Sequence, residues 1–253
     1  MKNKLHPGFS ALLEVSVLFL PAIPAYIWLW PNVAGTSAWI ANSLSDLYAI
    51  VGSLVIGLRR WDLSQLGLNC KGFWLSLVCG LAMVAGRTLV ILSVDWGLAL
   101  PQFSPLRLLG EFLFYFVLVG VGQELLFRGL IYRAFEEWRG TRWAIWGSSL
   151  GFGLWHLGGG PLMVAATTLY GLIFALIRWR AGAILGLILV HGLMDFAGIL
   201  LLPSTDVVGL GRPNIPHPSW MVMGLGLIFA VPMYLWKIHP RVSSRFAAQK
   251  KAF

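Results

Sequence analysis

The stretch Gly122-Gln123-Glu124-Leu125-Leu126-Phe127-Arg128-Gly129 places an amide, a carboxylate and a guanidinium inside a run of Leu, Phe and Val. Glu124 and Arg128 are four residues apart and share one face of a helix. Two later stretches repeat the anomaly. Phe152-Gly153-Leu154-Trp155-His156 carries a histidine in an apolar helix, and His191-Gly192-Leu193-Met194-Asp195 sets a histidine and a carboxylate at i, i+4. Ionisable groups in apolar spans are costly and by default mark a functional site. Imidazole and carboxylate together permit two hydrolytic chemistries. They can hold a divalent metal that activates water and polarises a carbonyl, for which His156, His191, Glu124 and Asp195 make a plausible zinc set. Alternatively, a carboxylate and a histidine activate water directly while other donors stabilise the oxyanion. The spacing is not that of a His-Glu-x-x-His helix, and the candidate ligands come from separate helices. Arg128 is placed to neutralise or orient Glu124.

Long apolar helices must position these groups. Of the 253 residues, 58% are hydrophobic and 11% charged, against about a quarter charged in a soluble domain. The mean hydropathy is +0.76. These values and long uncharged runs indicate an all-α, polytopic transmembrane bundle. Eight spans are expected, at 9–30, 37–58, 72–94, 108–132, 143–157, 161–178, 183–202 and 219–237. Pro21, Pro24 and Pro232 fall inside spans, where neighbouring helices satisfy freed carbonyls. The organisation divides into N-terminal membrane helices (1–60), a membrane core (61–202), and a last helix with a basic tail (203–253).

The basic residues alternate with the spans. Lys2, Lys4, Arg59, Arg60, Lys71, Arg133, Arg139, Arg142, Arg178, Arg180 and the tail residues lie on one side, and only Arg107 and Arg212 on the other. The excess of basic residues marks the cytoplasmic face. Both termini are therefore expected in the cytoplasm, for a multi-pass protein of a bacterial plasma membrane. The net charge of +9 is spent on orientation, so no nucleic-acid partner is expected. Tryptophans near span ends (Trp28, Trp30, Trp61, Trp96, Trp143, Trp220, Trp236) read as interfacial belts. At 1.5 Å rise per residue, Glu124 and His191 lie about 12 Å beneath the cytoplasmic face, Asp195 about 18 Å and His156 about 20 Å. All four can share one layer. Taken singly, a histidine is a packing residue and a Glu–Arg pair a bridge between helices; their matched depth favours a site.

Other features are bland. Cys70 and Cys79 lack metal-ligand spacing and suggest no disulfide. The N-terminal run follows Lys2 and Lys4 but is long enough to span, so it is read as a retained helix. Arg87 and Glu14 stand apart within spans, Arg87 being placed for a lipid headgroup or a carboxylate of the site. His6, His217 and His239 are expected to be solvated.

The order Glu-x-x-x-Arg, Phe-x-x-x-His, His-x-x-x-Asp, each in its own apolar helix, resembles the CPBP (CAAX protease and bacteriocin-processing, or Abi) intramembrane proteases. Type II CAAX prenyl endopeptidases belong there. Asp62-Leu63-Ser64-Gln65-Leu66-Gly67-Leu68 resembles the short segment ahead of that family's domain, so the likeness spans roughly 60–202. It implies an intramembrane endopeptidase acting on a membrane-associated or lipid-modified substrate. The family's first motif is usually Glu-Glu-x-x-x-Arg, its first Glu activating water together with the second-motif His. That position is Gln123 here; Glu124 matches the second Glu, Arg128 the Arg and His156 the second-motif His. His191 and Asp195 match the third motif, implied to stabilise the oxyanion or bind metal, with Asp195 where many members have Asn. A neutral amide is no general base and a poor ligand. Three outcomes are open: Glu124 or Asp195 takes over as base, the chemistry is slow or altered, or the chain is a non-catalytic membrane scaffold or chaperone. Glu124 is turned about 100° from Gln123, which hinders direct replacement. A proton-coupled transporter is a further class with Glu, Asp and His in spans, but paired half-repeats are not evident. The sequence sets neither substrate identity nor oligomeric state.

Overall fold

The computed structural model describes residues 5–19, 36–94, 104–201 and 218–238. Among these residues it is all helical. Eight helices follow in order: α1 (Pro7–Phe19), α2 (Thr36–Leu58), α3 (Phe73–Val94), α4 (Pro105–Arg139), α5 (Thr141–Trp155), α6 (Gly160–Ala181), α7 (Leu185–Leu201) and α8 (Pro218–Ile238). Four stretches, Ile40–Leu58, Phe73–Ser93, Pro105–Arg139 and Leu157–Ala181, are long and apolar enough to cross a membrane. Three shorter apolar helices accompany them, Pro7–Phe19, Leu185–Ile199 and Met221–Leu235. Large apolar side chains including Leu44, Val51, Trp74, Val78, Leu154, Phe229 and Met233 lie on the outside, where a bilayer, not water, is the natural solvent. The chain is an integral membrane protein.

Expected spans and observed helices agree closely, with one correction. The fourth does not stop at 132 but runs on to Arg139. Its last turns leave the apolar stripe, so hydropathy alone truncates them. Arg133 and Glu136 pair along the helix at 3.0 Å, and the Trp61 indole N–H donates to Glu137. Arg133 and Arg139 are thus helical residues and not loop residues. Pro21, Pro24, Trp28, Trp30, Trp96, Arg212, His217 and His239 lie outside the described residues, as do the second half of the expected first span, segment 203–217 and the tail from 239.

Local signals set the ends of α4 and α6. Ser104 caps α4, its hydroxyl accepting from the Arg107 N–H at 3.3 Å, and Pro105 supplies the first turn. Gly140, with φ +87°, reverses the chain directly into α5. Gly182, with φ +69°, closes α6 by returning its N–H to the Arg178 carbonyl at 2.9 Å.

Helices approach one another through small residues. A Cβ at Gly86 would stand 2.7 Å from the Gly224 carbonyl, so α3 and α8 nearly touch backbones. The same holds for α4 and α7: a Cβ at Gly120 would meet the Ile188 carbonyl at 2.7 Å, and one at Gly192 the Phe116 Cα at 2.8 Å. Such contacts replace the hydrophobic drive that is absent between helices in lipid. Gly192→Val is expected to destabilise the protein by about 1–3 kcal/mol, the usual cost of overpacking, by pushing α7 away from α4. Thermal unfolding of the variant in detergent checks this.

Apolar side chains gather in four clusters among the described residues, two of them large. One gathers Ala11, Val15, Ala49, Ile56, Phe127, Leu130 and Phe152. The other gathers Met83, Phe174, Ile177, Leu187, Val190 and Val231. The polar residues of the three motifs lie at the seam between them.

Candidate active site

Glu124 anchors this seam. It is 0% exposed, and its Oε1 accepts from the Arg128 Nη1 at 3.0 Å and from the His191 Nδ1 at 2.7 Å. The first contact is the i, i+4 pair expected on one helix face. The second crosses from α4 to α7 and joins two motifs separated by 67 positions. Carboxylate and guanidinium compensate each other in an interior where an isolated charge would not survive. Arg128 is itself 0% exposed, and its guanidinium lies 4.2 Å from the Phe152 ring centre and 5.1 Å from that of Phe174. Planar, delocalised charge stacks on aromatic faces well. Phe152 and Phe174 also flank His191, with centroid separations of 5.7 and 5.8 Å.

His191 reaches both ways. Its Nδ1–H is committed to Glu124, and its Nε2 stands 3.5 Å from the Asp195 Oδ2. Asp195 is the more open partner, its side chain 30% exposed. The i, i+4 pairing read from sequence is thus present. His156 ends α5, half-buried, and donates its Nδ1–H to the Phe152 carbonyl at 2.9 Å. A carbonyl can only accept, so this bond fixes the tautomer and leaves Nε2 with its lone pair. The ring packs edge-on against Phe152 at 4.8 Å. Phe152 thereby separates His156 from the Arg128 guanidinium while holding both. Phe152 contacts the rings of both His156 and His191 and lies under the Arg128 guanidinium, which sets the second motif beside the first and third.

Gln123 behaves differently from its neighbour. It faces α2, where its amide Nε2 donates to the Asp46 Oδ1 at 3.3 Å. The turn of the helix thus aims adjacent residues at two helices, and Glu124 does not occupy the place of Gln123. Asp46 escaped the sequence reading. It is the one charged residue of the stretch Ile40–Leu58, so the rule that selected Glu124 also selects it. Phe174 was missed as well, because an aromatic in an apolar run carries no signal until its neighbour is known; Phe152 was marked only as the first residue of the second motif.

The backbone is unusual here. Helix α4 is wound as a π-helix at Phe114–Val119 and again at Leu125–Ile131, with Gly120–Glu124 between. π turns are rare and concentrate at functional sites. The second carries Arg128, whose carbonyl accepts from the Arg178 Nε at 3.2 Å. Arg178 also donates from Nη2 to the Gln65 carbonyl at 3.0 Å. It ties the segment Asp62–Leu68 to the site helix, and the Ile184 N–H adds a bond to the Gly67 carbonyl at 2.9 Å. That segment is therefore a strap across the site end of α4, not a free loop. Arg87 donates to the Met194 carbonyl at 3.0 Å, one residue from Asp195; it meets a backbone carbonyl, where a headgroup or carboxylate had been expected. Glu14 does not stand apart: it pairs with Arg60. Cys70 and Cys79 are free thiols, and His6 is exposed.

The proposed metal set was tested against this geometry. Among the described residues no three His, Cys, Asp or Glu side chains are disposed to hold one ion. Glu124 Oε1 is already shared by a guanidinium and an imidazole, and His191 Nδ1 faces that carboxylate. In this arrangement His156, His191, Glu124 and Asp195 do not converge as a three-ligand set for one ion.

The comparisons agree with this layout. Residues 105–197 match the family described as Type II CAAX prenyl endopeptidase Rce1-like. Over that segment the chain is similar to type II CAAX prenyl endopeptidases. The matched residues run from the first turn of α4 into α7 and contain all three motifs. Asp46 and the strap lie outside the match. No curated protein and no solved structure matches the chain.

Proposed function

We propose that this protein is an intramembrane endopeptidase that hydrolyses a peptide bond of a membrane-associated or lipid-modified substrate, with water activated by a carboxylate and histidine. The observation that carries the reading is the 2.7 Å bond from His191 to Glu124. It brings the first and third motifs of a peptidase family into one polar centre between two apolar cores. His156, which offers Nε2, stands beside it across Phe152. The buried Glu124–Arg128 pair does not face the reaction. It holds His191 in one tautomer and orientation, as a second partner of a catalytic imidazole does. Among the other residues of the second and third motifs, His156 Nε2, His191 Nε2 and Asp195 are left to handle substrate. They suit proton transfer to and from the attacked amide and stabilisation of the oxyanion.

Arg59 and Arg60 directly precede the strap, and Arg178 bonds the strap to α4. With the basic end cytoplasmic, substrate enters from the cytoplasmic face of a bacterial plasma membrane, and both termini lie on that side. The match to prenyl endopeptidases supports an S-prenylated carboxy-terminal peptide as the first substrate to try.

His156→Ala is expected to reduce turnover of an S-farnesylated Cys-aliphatic-aliphatic-X peptide by about 10²–10⁴-fold, the worth of one positioned acid–base group. Unchanged cleavage by that variant would remove the reading. Incubation of purified wild type with a chelator is expected to leave turnover intact; loss on chelation with recovery on adding zinc would restore the metal set of His156, His191, Glu124 and Asp195.

Gln123 favours one second reading, a non-catalytic membrane scaffold or chaperone on the same fold. It predicts an inert wild type and activity created by Gln123→Glu. Cleavage by wild type refutes it.

A further inference from the structure

The peptidase family places a carboxylate at position 123, and this chain has an amide there. The amide is not idle. It donates to Asp46 of α2 at 3.3 Å, with Asp46 4% and Gln123 7% exposed. The two helices are pressed together at this point: a Cβ at Gly122 would lie 2.8 Å from the Asp46 carbonyl. A carboxylate from outside the family segment is thus held within one hydrogen bond of the position the family's carboxylate occupies. Gln123 is the chain neighbour of Glu124, so Asp46 lies one hydrogen bond from the residue beside the Glu124–His191 contact. Gln123 Oε1 has no donor among the described residues, and a buried acceptor of that kind calls for a water.

We propose that Asp46 is the general base of this enzyme, transplanted from α4 to α2, and that Gln123 positions it and the attacking water. The proposal rests on the peptidase reading above. In the step, the water gives one hydrogen bond to Gln123 Oε1 and its other proton to the Asp46 carboxylate. The oxygen lone pair forms the new bond to the amide carbon, and the C=O π pair moves to the carbonyl oxygen. On collapse that pair returns and the C–N bond breaks. The departing nitrogen, with the bond's electrons, takes the proton from the Asp46 carboxylic acid. The products are a carboxylic acid and an amine, and Asp46 is again a carboxylate.

The arrangement also explains why glutamine is acceptable at 123. A second carboxylate beside Asp46 would repel it in a dry interior, whereas an amide donates a hydrogen bond to it.

The test compares Asp46→Asn, Gln123→Glu and the double variant in full-length, detergent-solubilised protein, using the S-farnesylated peptide. Asp46→Asn keeps an oxygen that accepts from Gln123, so packing and the inter-helix bond survive. A kcat lower by about 10²–10⁴-fold with unchanged KM is expected, because only proton transfer is lost. The double variant returns the carboxylate to α4 and leaves an amide on α2. It is expected to regain at least about tenfold of the lost kcat, which a merely structural role of Asp46 would not produce. Two results would overturn the assignment: Asp46→Asn turning over within a factor of about two of wild type while His156→Ala has lost activity, or a double variant no better than Asp46→Asn alone. If instead both Asp46→Asn and His156→Ala cleave normally, the peptidase reading itself fails.

Discussion

Arg128→Met is expected to destabilise the protein by about 3–5 kcal/mol, the usual consequence of removing one partner from a buried ion pair. The substitution keeps roughly the volume between Phe152 and Phe174 but leaves Glu124, at 0% exposure, with its charge uncompensated. His191 remains as the carboxylate's donor at 2.7 Å, a single hydrogen bond where a full opposite charge stood. Adding Glu124→Gln should relieve much of the loss, since the orphaned charge then disappears. A coupling of about 1–3 kcal/mol between the two sites is expected from such neighbours. Reversible unfolding in detergent measures all three variants. The pair Arg107–Glu111 is the control: it spans 3.7 Å with Arg107 63% exposed, and Arg107→Ala should change stability by less than about 1 kcal/mol. If Arg128→Met unfolds no more easily than Arg107→Ala, the guanidinium is not the partner that stabilises Glu124 in the fold.

His191→Ala is expected to abolish turnover, by about 10²–10⁴-fold, with a smaller effect on folding. The ring touches both Glu124 and Asp195. Removing it cuts the link between α4 and α7 and between the buried pair and the accessible carboxylate. Glu124 keeps its bond to Arg128, so the structural cost is that of one unmade hydrogen bond, about 1–3 kcal/mol. Turnover of the farnesylated peptide beside a melting curve separates the two effects. A variant whose activity falls only in proportion to its folded fraction would assign His191 a packing role.

Much of the fold was legible from one dimension. A bilayer tolerates only helices with internally satisfied backbones, so runs of apolar residues translate almost directly into helices. Seven expected spans survive with ends shifted by a few residues, the first being described only to Phe19. The failure was the end of α4, where Arg133, Glu136 and Glu137 leave the hydropathy pattern but stay helical through pairs with each other and with Trp61. Polarity periodicity reports the solvent, not the helix, and the two part company where a helix rises out of the lipid.

The candidate site divides in the same way. Its local pairs, Glu124 with Arg128 and His191 with Asp195, follow from i, i+4 spacing and needed no coordinates. So did the divergence of Gln123 and Glu124, because adjacent helical residues point about 100° apart. Sequence alone also fixed which residues are anomalous, since an ionisable group in hydrocarbon requires a reason wherever it is found. Which helix each one meets is another matter. Glu124 faces His191, His156 is held behind Phe152, and Gln123 finds Asp46, and these partnerships depend on how eight helices rotate and cross. That choice is made by glycines such as Gly120, Gly122 and Gly192, whose missing side chains let particular backbones touch. Contact between helices in lipid is decided by shape, to which every residue of both faces contributes, and no spacing rule along a single chain records it.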